Sequence, residues 1–221
     1  ISIIGLSADD QNRAPWDIAE ENQMVYYGDQ DIVQKTLGLN WRALWSKNGY
    51  SNTSLSVNSS NFDEDFYDVN TRNQILQNNS NETTISLRNQ IELRLSTKNT
   101  IKFGLVAQQY ILDYNNYYGE YQTPLGDLLP ELSTDNKAEA LGIGAFIDYS
   151  ALFWNRITAN IGIRGDYFSY KADYNLSPTL SLSYRPGHLT TISAAAGIYR
   201  QHVPFVLLTQ RESNRSLEHM T

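Results

Sequence analysis

The residues able to do chemistry are few and scattered. The 221-residue chain has three histidines, His188, His202 and His219, and no cysteine. The absence of thiols removes disulfides, thiolate zinc sites, iron–sulfur clusters and cysteine nucleophiles together. No two histidines stand at the i, i+2 or i+4 spacing of a metal pair, so they read as solvated or interfacial side chains and no metal is expected. Serine is abundant, but a serine hydrolase needs a histidine and an orienting carboxylate or amide beside it. Only His202 is placed where a substrate would be met, which leaves a barrel hydrolase as the third-ranked reading and no catalytic residue assigned. Asp63, Glu64, Asp65 and Asp68 would suit a hard cation, but the spacing of a calcium loop is missing, and a solvated acidic loop is the plainer account. Gly142 and Gly144 precede no helix signal and so form no phosphate loop. They read as small side chains facing an interior. No cofactor is implied.

What remains is binding chemistry. Tyr110, Tyr114, Tyr117, Tyr118 and Tyr121 crowd one segment, and tyrosine offers a rigid apolar ring with a polar tip. Tyr114, Tyr117, Tyr118 and Tyr121 are the ligand-binding candidates. A balance of 17 basic against 24 acidic residues, net charge -7, argues against nucleic acid as a partner. No apolar run reaches the 18 residues of a membrane-spanning helix, and no signal peptide opens the chain. The chain begins inside a strand-like run and is expected to be a fragment of something longer.

The elements that must carry these residues show period two. From Thr83 to Leu95, odd positions are mostly aliphatic and even positions include Arg88, Gln90, Glu92 and Arg94. A strand sends alternate side chains to opposite faces, so one face is greasy and the other charged. The same alternation recurs over Ile32–Ser46, Ile101–Gln108, Leu141–Tyr149, Ile157–Asp166, Thr179–Tyr184 and Ile192–Tyr199. With the weaker Thr53–Val57 and the opening Ile1–Ser7, nine strands are predicted. Tight turns are expected at Lys47-Asn48-Gly49, Thr97-Lys98-Asn99, Phe153-Trp154-Asn155 and Arg185-Pro186-Gly187-His188. Long polar loops are expected at Ala8–Gln30, Asn61–Asn81 and Asp113–Lys137.

Short turns at one end and long loops at the other describe an all-β, antiparallel up-and-down meander. The aliphatic stretches span about 7–11 residues, close to a tilted strand crossing a bilayer. Trp45, Tyr50, Phe153, Trp154 and Tyr184 gather near the short turns, where a membrane boundary would hold aromatic rings. Arg42, Arg88, Glu92, Arg94, Arg164 and Asp166 occupy the polar face and are the candidates for a wet interior. In hydrocarbon a sheet must close to pair its backbone, and nine strands are an odd number, so the chain is expected to be about nine strands of a larger transmembrane barrel. The competing reading is a soluble antiparallel β domain that binds carbohydrate or protein, with the aliphatic face as its core.

Several segments resemble the barrel of TonB-dependent outer-membrane receptors. Gly162, Arg164, Asp166 and Tyr167 match a Gly-x-Arg-x-Asp-Tyr strand end, and Leu176–Tyr184 is similar to the Ser-Pro-Arg strand start, with Thr179 in place of Arg. Gly197–Pro204 resembles Gly-x-Tyr-x-Gln-x-Pro. Asn214–Thr221 resembles an Asn-x-x-Leu-x-x-Glu lead-in, from which His219 departs. Ile101–Tyr110 is similar to a Lys-Phe-Gly strand. The resemblance implies a bacterial outer-membrane location, a 22-stranded barrel, and TonB-dependent uptake of a scarce ligand, either a small molecule or an oligomer. The expected partners are outer-membrane lipid, the protein's own plug domain, TonB through that plug, and the ligand. Residues 1–221 then form a partial barrel domain without the plug, a scaffold and not an enzyme. The six polar-face candidates would face the plug.

Overall fold

A computed structural model describes residues 1–122, 127–187, 189–200, 203–210 and 214. His188, His202 and His219 lie outside the described residues, as do the side chain of Tyr121 and nearly all of the Asn214–Thr221 lead-in. The main sheet has nine antiparallel strands in sequential order. They are β1 (Ser2–Ala14), β2 (Tyr26–Ser46), β3 (Gly49–Asp68), β4 (Gln74–Arg94), β5 (Asn99–Tyr118), β8 (Leu132–Phe153), β9 (Ile157–Phe168), β10 (Asp173–Tyr184) and β11 (Ile192–Gly197). Between β5 and β8 lies a small hairpin, β6 (Tyr121–Gln122) with β7 (Leu128–Leu129). Two short helices, α1 (Trp16–Glu21) and α2 (Phe205–Gln210), were not expected from the sequence.

All nine expected strands are present, and the fold is the all-β antiparallel meander of a barrel wall. The long loops are the correction. Most of 61–81 and 113–137, and the two ends of 8–30, belong to strands that go on pairing, with one register shift between Phe66 and Tyr67. Asp65 opposes Gln77, and Asn115 opposes Asp135. Above Leu37 polar residues take over most of the outward face and much of the inward one, so alternation fades from the sequence while the ladder continues. Polar side chains join across it. The Thr36 hydroxyl donates to Asn58 (2.9 Å), the Asn78 amide to Glu64 (2.6 Å) and Lys137 to Asp113 (2.7 Å). Such cross-strand pairs contribute roughly 0.2–1 kcal/mol each.

The three turns within the described residues at the opposite end are short, as expected. At the β8–β9 turn the Arg156 amide donates to the Phe153 carbonyl (3.0 Å) across Trp154 and Asn155, which have φ of 48° and 54°. Two left-handed central residues define the mirror-image turn whose twist matches a hairpin. The Trp154 side chain is 80% exposed there, at the height where a membrane–water boundary favours indole.

The aliphatic rows remain uncovered. Leu37 is 60% exposed, Trp41 56% and Leu105 61%, and among the described residues no element packs over them. That exposure is what a lipid-facing wall requires, whereas in the soluble reading these rows would be core. Thr53 and Asn89 are polar residues on this face, beside Ser51 one row lower. They oppose each other in register, and the Asn89 amide donates to the Thr53 hydroxyl (2.8 Å), so each supplies a partner that hydrocarbon cannot.

Wall height is uneven. β2, β3, β4, β5 and β8 run 20–22 residues, whereas β9 and β10 run 12. β9 pairs with β8 only from Gly142 downward, so 132–141 has a strand neighbour on the β5 side alone. The Ser169 amide and hydroxyl close the ladder on Leu141.

Candidate functional site

Register places the inward side chains in rows that cross the sheet. One row at lipid height runs Arg42, Asn52, Gln90, Gly104, Phe146, Arg164, Ser177. The row below it includes Tyr50, Glu92, Lys102 and Asp148, and the row above includes Arg88, Gly144 and Asp166. All six polar-face candidates therefore share one surface, opposite the aliphatic rows. Arg94 lies one row lower again, opposite Thr100.

Contacts tie these candidates into two groups. In the first, the Tyr50 hydroxyl donates to Glu92 (2.8 Å), Lys102 approaches the same carboxylate (3.4 Å), and the Arg42 guanidinium lies 4.1 Å from the Tyr50 ring centre. In the second, Arg164 grips Asp166 through Nε (2.8 Å) and a terminal nitrogen (2.6 Å). Arg88, Arg164 and Asp166 line one open cavity of about 430 Å³ with Arg200. Gly144, expected to leave room inside, is narrow for another reason. A Cβ there would lie 2.5 Å from an Asp166 oxygen and 2.8 Å from an Arg164 nitrogen, so the ion pair occupies its space. Lys102, Asp148 and Arg200 belong to this surface but were not singled out from the sequence, and Tyr50, expected among the aromatic rings of the membrane boundary, turns inward to Glu92 instead. Lys102 and Asp148 stand at even positions on strands already identified, which was the available signal, while Arg200 lies beyond the end of β11.

Tyr110, Tyr114, Tyr117 and Tyr118 stand on β5 and Tyr121 on β6, not on one loop. Neighbours along a strand face opposite ways, and the set divides accordingly. Tyr117 faces outward and its hydroxyl donates to Glu131 (3.3 Å). Tyr114 faces inward and is 2% exposed; its hydroxyl donates to Glu82 (2.6 Å), and burial together with that carboxylate raises its pKa above the ordinary phenol value. Tyr110 meets Phe205 of α2 (ring centres 4.9 Å), and Phe205 also meets Phe168 (5.2 Å) and Tyr170 (5.7 Å). Helix α2 is thus tucked inside the upper wall, with Leu208 and Val203 buried against Ala140 and Phe168. The Asn136 amide donates to the Thr209 carbonyl (3.1 Å) and fixes the far end of the helix. The sequence hid α2 because six residues are too few to show a helical period.

Tyr118 faces inward at the top of the wall and lines a cavity of about 910 Å³. Tyr26, Leu76, Leu129, Pro130 and Leu132 complete its apolar lining, with Asp68 and Glu120 at its margin. The four acidic candidates are dispersed along the end of β3. Glu64 points inward to Asn78, while Asp65 accepts from Gln74 (2.7 Å) and the Tyr67 hydroxyl (2.9 Å). Asp68 accepts the amides of Asn70 (2.9 Å) and Thr71 (2.7 Å) and the Thr71 hydroxyl, bonds that lower its pKa below the usual carboxylate range. Among the described residues no group of three or more metal-ligating side chains converges.

Comparison with known proteins gives one family. The family model described as TonB dependent receptor-like, beta-barrel matches residues 4–200. A search among curated proteins returned no match.

Proposed function

The chain belongs to the TonB-dependent receptor-like β-barrel family of the bacterial outer membrane, and from that premise we propose that it forms a wall of an importer. In this reading a ligand is captured at the mouth, where Tyr118 lies, and passes a wet interior lined by Arg42, Arg88, Glu92, Arg94, Arg164 and Asp166. A plug domain sits against that strip and couples it to TonB, which supplies the energy for passage. Residues 1–221 contribute barrel wall and mouth, and the plug is a separate part of the protein.

The observation that carries the reading is the inversion of polarity within single strands. Leu87 and Leu105 stand exposed on one face, while Arg88 and Lys102 stand on the other with carboxylates and amides beside them. A sheet with lipid outside and water inside stabilises both faces at once, with no second layer needed over the aliphatic rows. The inward strip at lipid height carries Arg42, Arg88, Arg94, Lys102 and Arg164 against Glu92, Asp148 and Asp166. That basic excess suits an acidic or hydrogen-bonding surface of the plug.

These 221 residues contain no cysteine, so a single cysteine placed among them, with any cysteine elsewhere in the full-length protein replaced by serine, tests this directly in membranes. Arg88→Cys is expected to react with a charged, membrane-impermeant maleimide, and Leu87→Cys to stay protected until detergent is added. Equal labelling of the two sites would overturn the barrel-wall reading. Nutrient uptake by cells carrying the receptor should also stop when a protonophore collapses the inner-membrane gradient. Uptake unaffected by the protonophore would overturn the energised step.

A further inference from the structure

The apolar cavity at the top of the inner wall has no occupant among the described residues. It lies well clear of lipid. Tyr26 is eleven residues beyond Leu37 on β2, roughly 25–30 Å higher for a strand tilted about 40°. At its height the outward face reads Asp29, Asp65, Gln77, Tyr117, Ser133 across five strands, a surface made for water. Yet inside, Val25 is 70% exposed, Leu129 51% and Tyr26 48%. Apolar side chains gathered at an aqueous mouth mark a binding surface. The surface is concave, and its volume falls in the range that encloses a molecule of a few hundred daltons, which argues for a small ligand over a flat protein partner.

The polar part of the lining narrows the chemistry further. Its described residues bring two carboxylates, Asp68 and Glu120, two amides, Gln210 and Asn214, and no cation. The nearby Arg72 guanidinium is stacked 4.1 Å over the Trp16 ring. Among the described residues of the lining, an anion would meet these carboxylates without a charge partner. A polyhydroxylated glycan would leave the leucines wet.

We propose that this cavity selects an amphipathic small ligand, with an aromatic or branched aliphatic body seated on Tyr26, Leu76, Tyr118, Leu129 and Leu132 and an amine or other hydrogen-bond donor turned to Asp68 and Glu120. The proposal rests on the import reading, since it names the ligand class for the same mouth. Tyr118 supplies ring contact, the leucines supply desolvated area, and the two carboxylates set the preferred charge.

The test is calorimetric titration of the full-length receptor in detergent with three forms of one probe: leucyl-phenylalaninamide with its free amine, its N-acetyl form and its N-succinyl form. The free amine is expected to bind saturably, and the succinyl form at least about tenfold more weakly. Tyr118→Ala should weaken the amine and acetyl forms together. Glu120→Gln should weaken the amine form and leave the acetyl form unchanged, a split that misfolding cannot produce. Succinyl binding equal to the amine, binding of maltohexaose in place of the peptides, or no binding of any probe would overturn the assignment. These failures are separable from failure of the import reading. Protonophore-sensitive uptake with no probe binding removes only the ligand class, and probe binding with protonophore-insensitive uptake removes only the energised step.

Discussion

The same five tall strands pass through two regions that obey different rules. At lipid height β4 alternates Ile85, Leu87, Asn89, Ile91 and Leu93 outward with Ser86, Arg88, Gln90 and Glu92 inward. Higher up, Leu76–Thr84 carries mostly Gln, Asn, Ser, Thr and Glu on both faces. The hydrogen-bond ladder is the same in both. What changes is the medium outside, from hydrocarbon to water, and with it the source of stability. In the lower region the outward rows gain by leaving water, and closure of the backbone ladder is obligatory. In the upper region the strands are held by backbone pairing, by side-chain bonds such as Ser80 hydroxyl to Asn116 carbonyl (2.7 Å), and by an apolar knot on the inner face. Strand structure is thus common to both, while hydropathy alternation reports only where two different solvents meet the sheet.

A charge placed outward would break the contrast most severely. Leu105→Arg is expected to destabilise the folded protein in lipid vesicles by about 2–4 kcal/mol, the penalty for a guanidinium near the bilayer midplane. Asn115→Arg, on the same strand and face ten residues higher, should change stability by no more than about 0.5 kcal/mol. Urea unfolding in vesicles measures both, and equal losses would show that the two regions share one environment.

Removing the inner knot sharpens the comparison by acting on the upper region alone. Phe205 is partly buried among three other rings, so Phe205→Ala should cost about 2 kcal/mol of local stability, below the range for a fully enclosed ring. Amide exchange in 203–210 should accelerate, with the lipid-height amides of β4 and β5 unaffected. Acceleration spread over the whole sheet would mean that α2 stabilises the barrel and not only its mouth.

The smallest effect concerns the β3–β4 tip. Folding lowers the pKa of Asp68, so its contribution is full above the unfolded carboxylate value of about 3.9 and fades as pH falls through the lower folded value. Amide exchange at Asn70 and Thr71 should be protected at neutral pH and lose that protection only in strong acid. Asp68→Asn, which keeps one acceptor oxygen but no charge, should weaken the protection and abolish its acid dependence.

Reading the chain without coordinates captures the lower region well. Nine strands, their order and the side each residue faces follow from alternation. Arg42, Arg88, Glu92, Arg94, Arg164 and Asp166 are brought onto one surface as their parity requires. The upper region was illegible for a physical reason. Asn61–Asn81 looks like a loop because composition follows solvent exposure, and both faces of those strands are wet. Tyr114 and Tyr118 sit in one segment with equal claims to a ligand. The structure separates them, because α2 comes from the far side of β11 to cover one and leaves the other open. No spacing rule relates Phe205 to Tyr110 across nearly a hundred residues.

The drop from β8 to β9 has a geometric consequence. Along this stretch the rim stands high on one flank and low on the other, so this part of the rim is stepped and not level. In the proposed import reading, solutes drifting parallel to the cell surface would cross the low sill and strike the tall inner panel, where the tyrosine-lined hollow lies. Approach is then biased toward sideways arrival, and crowding by long surface sugars would shade the hollow less from that side than from above.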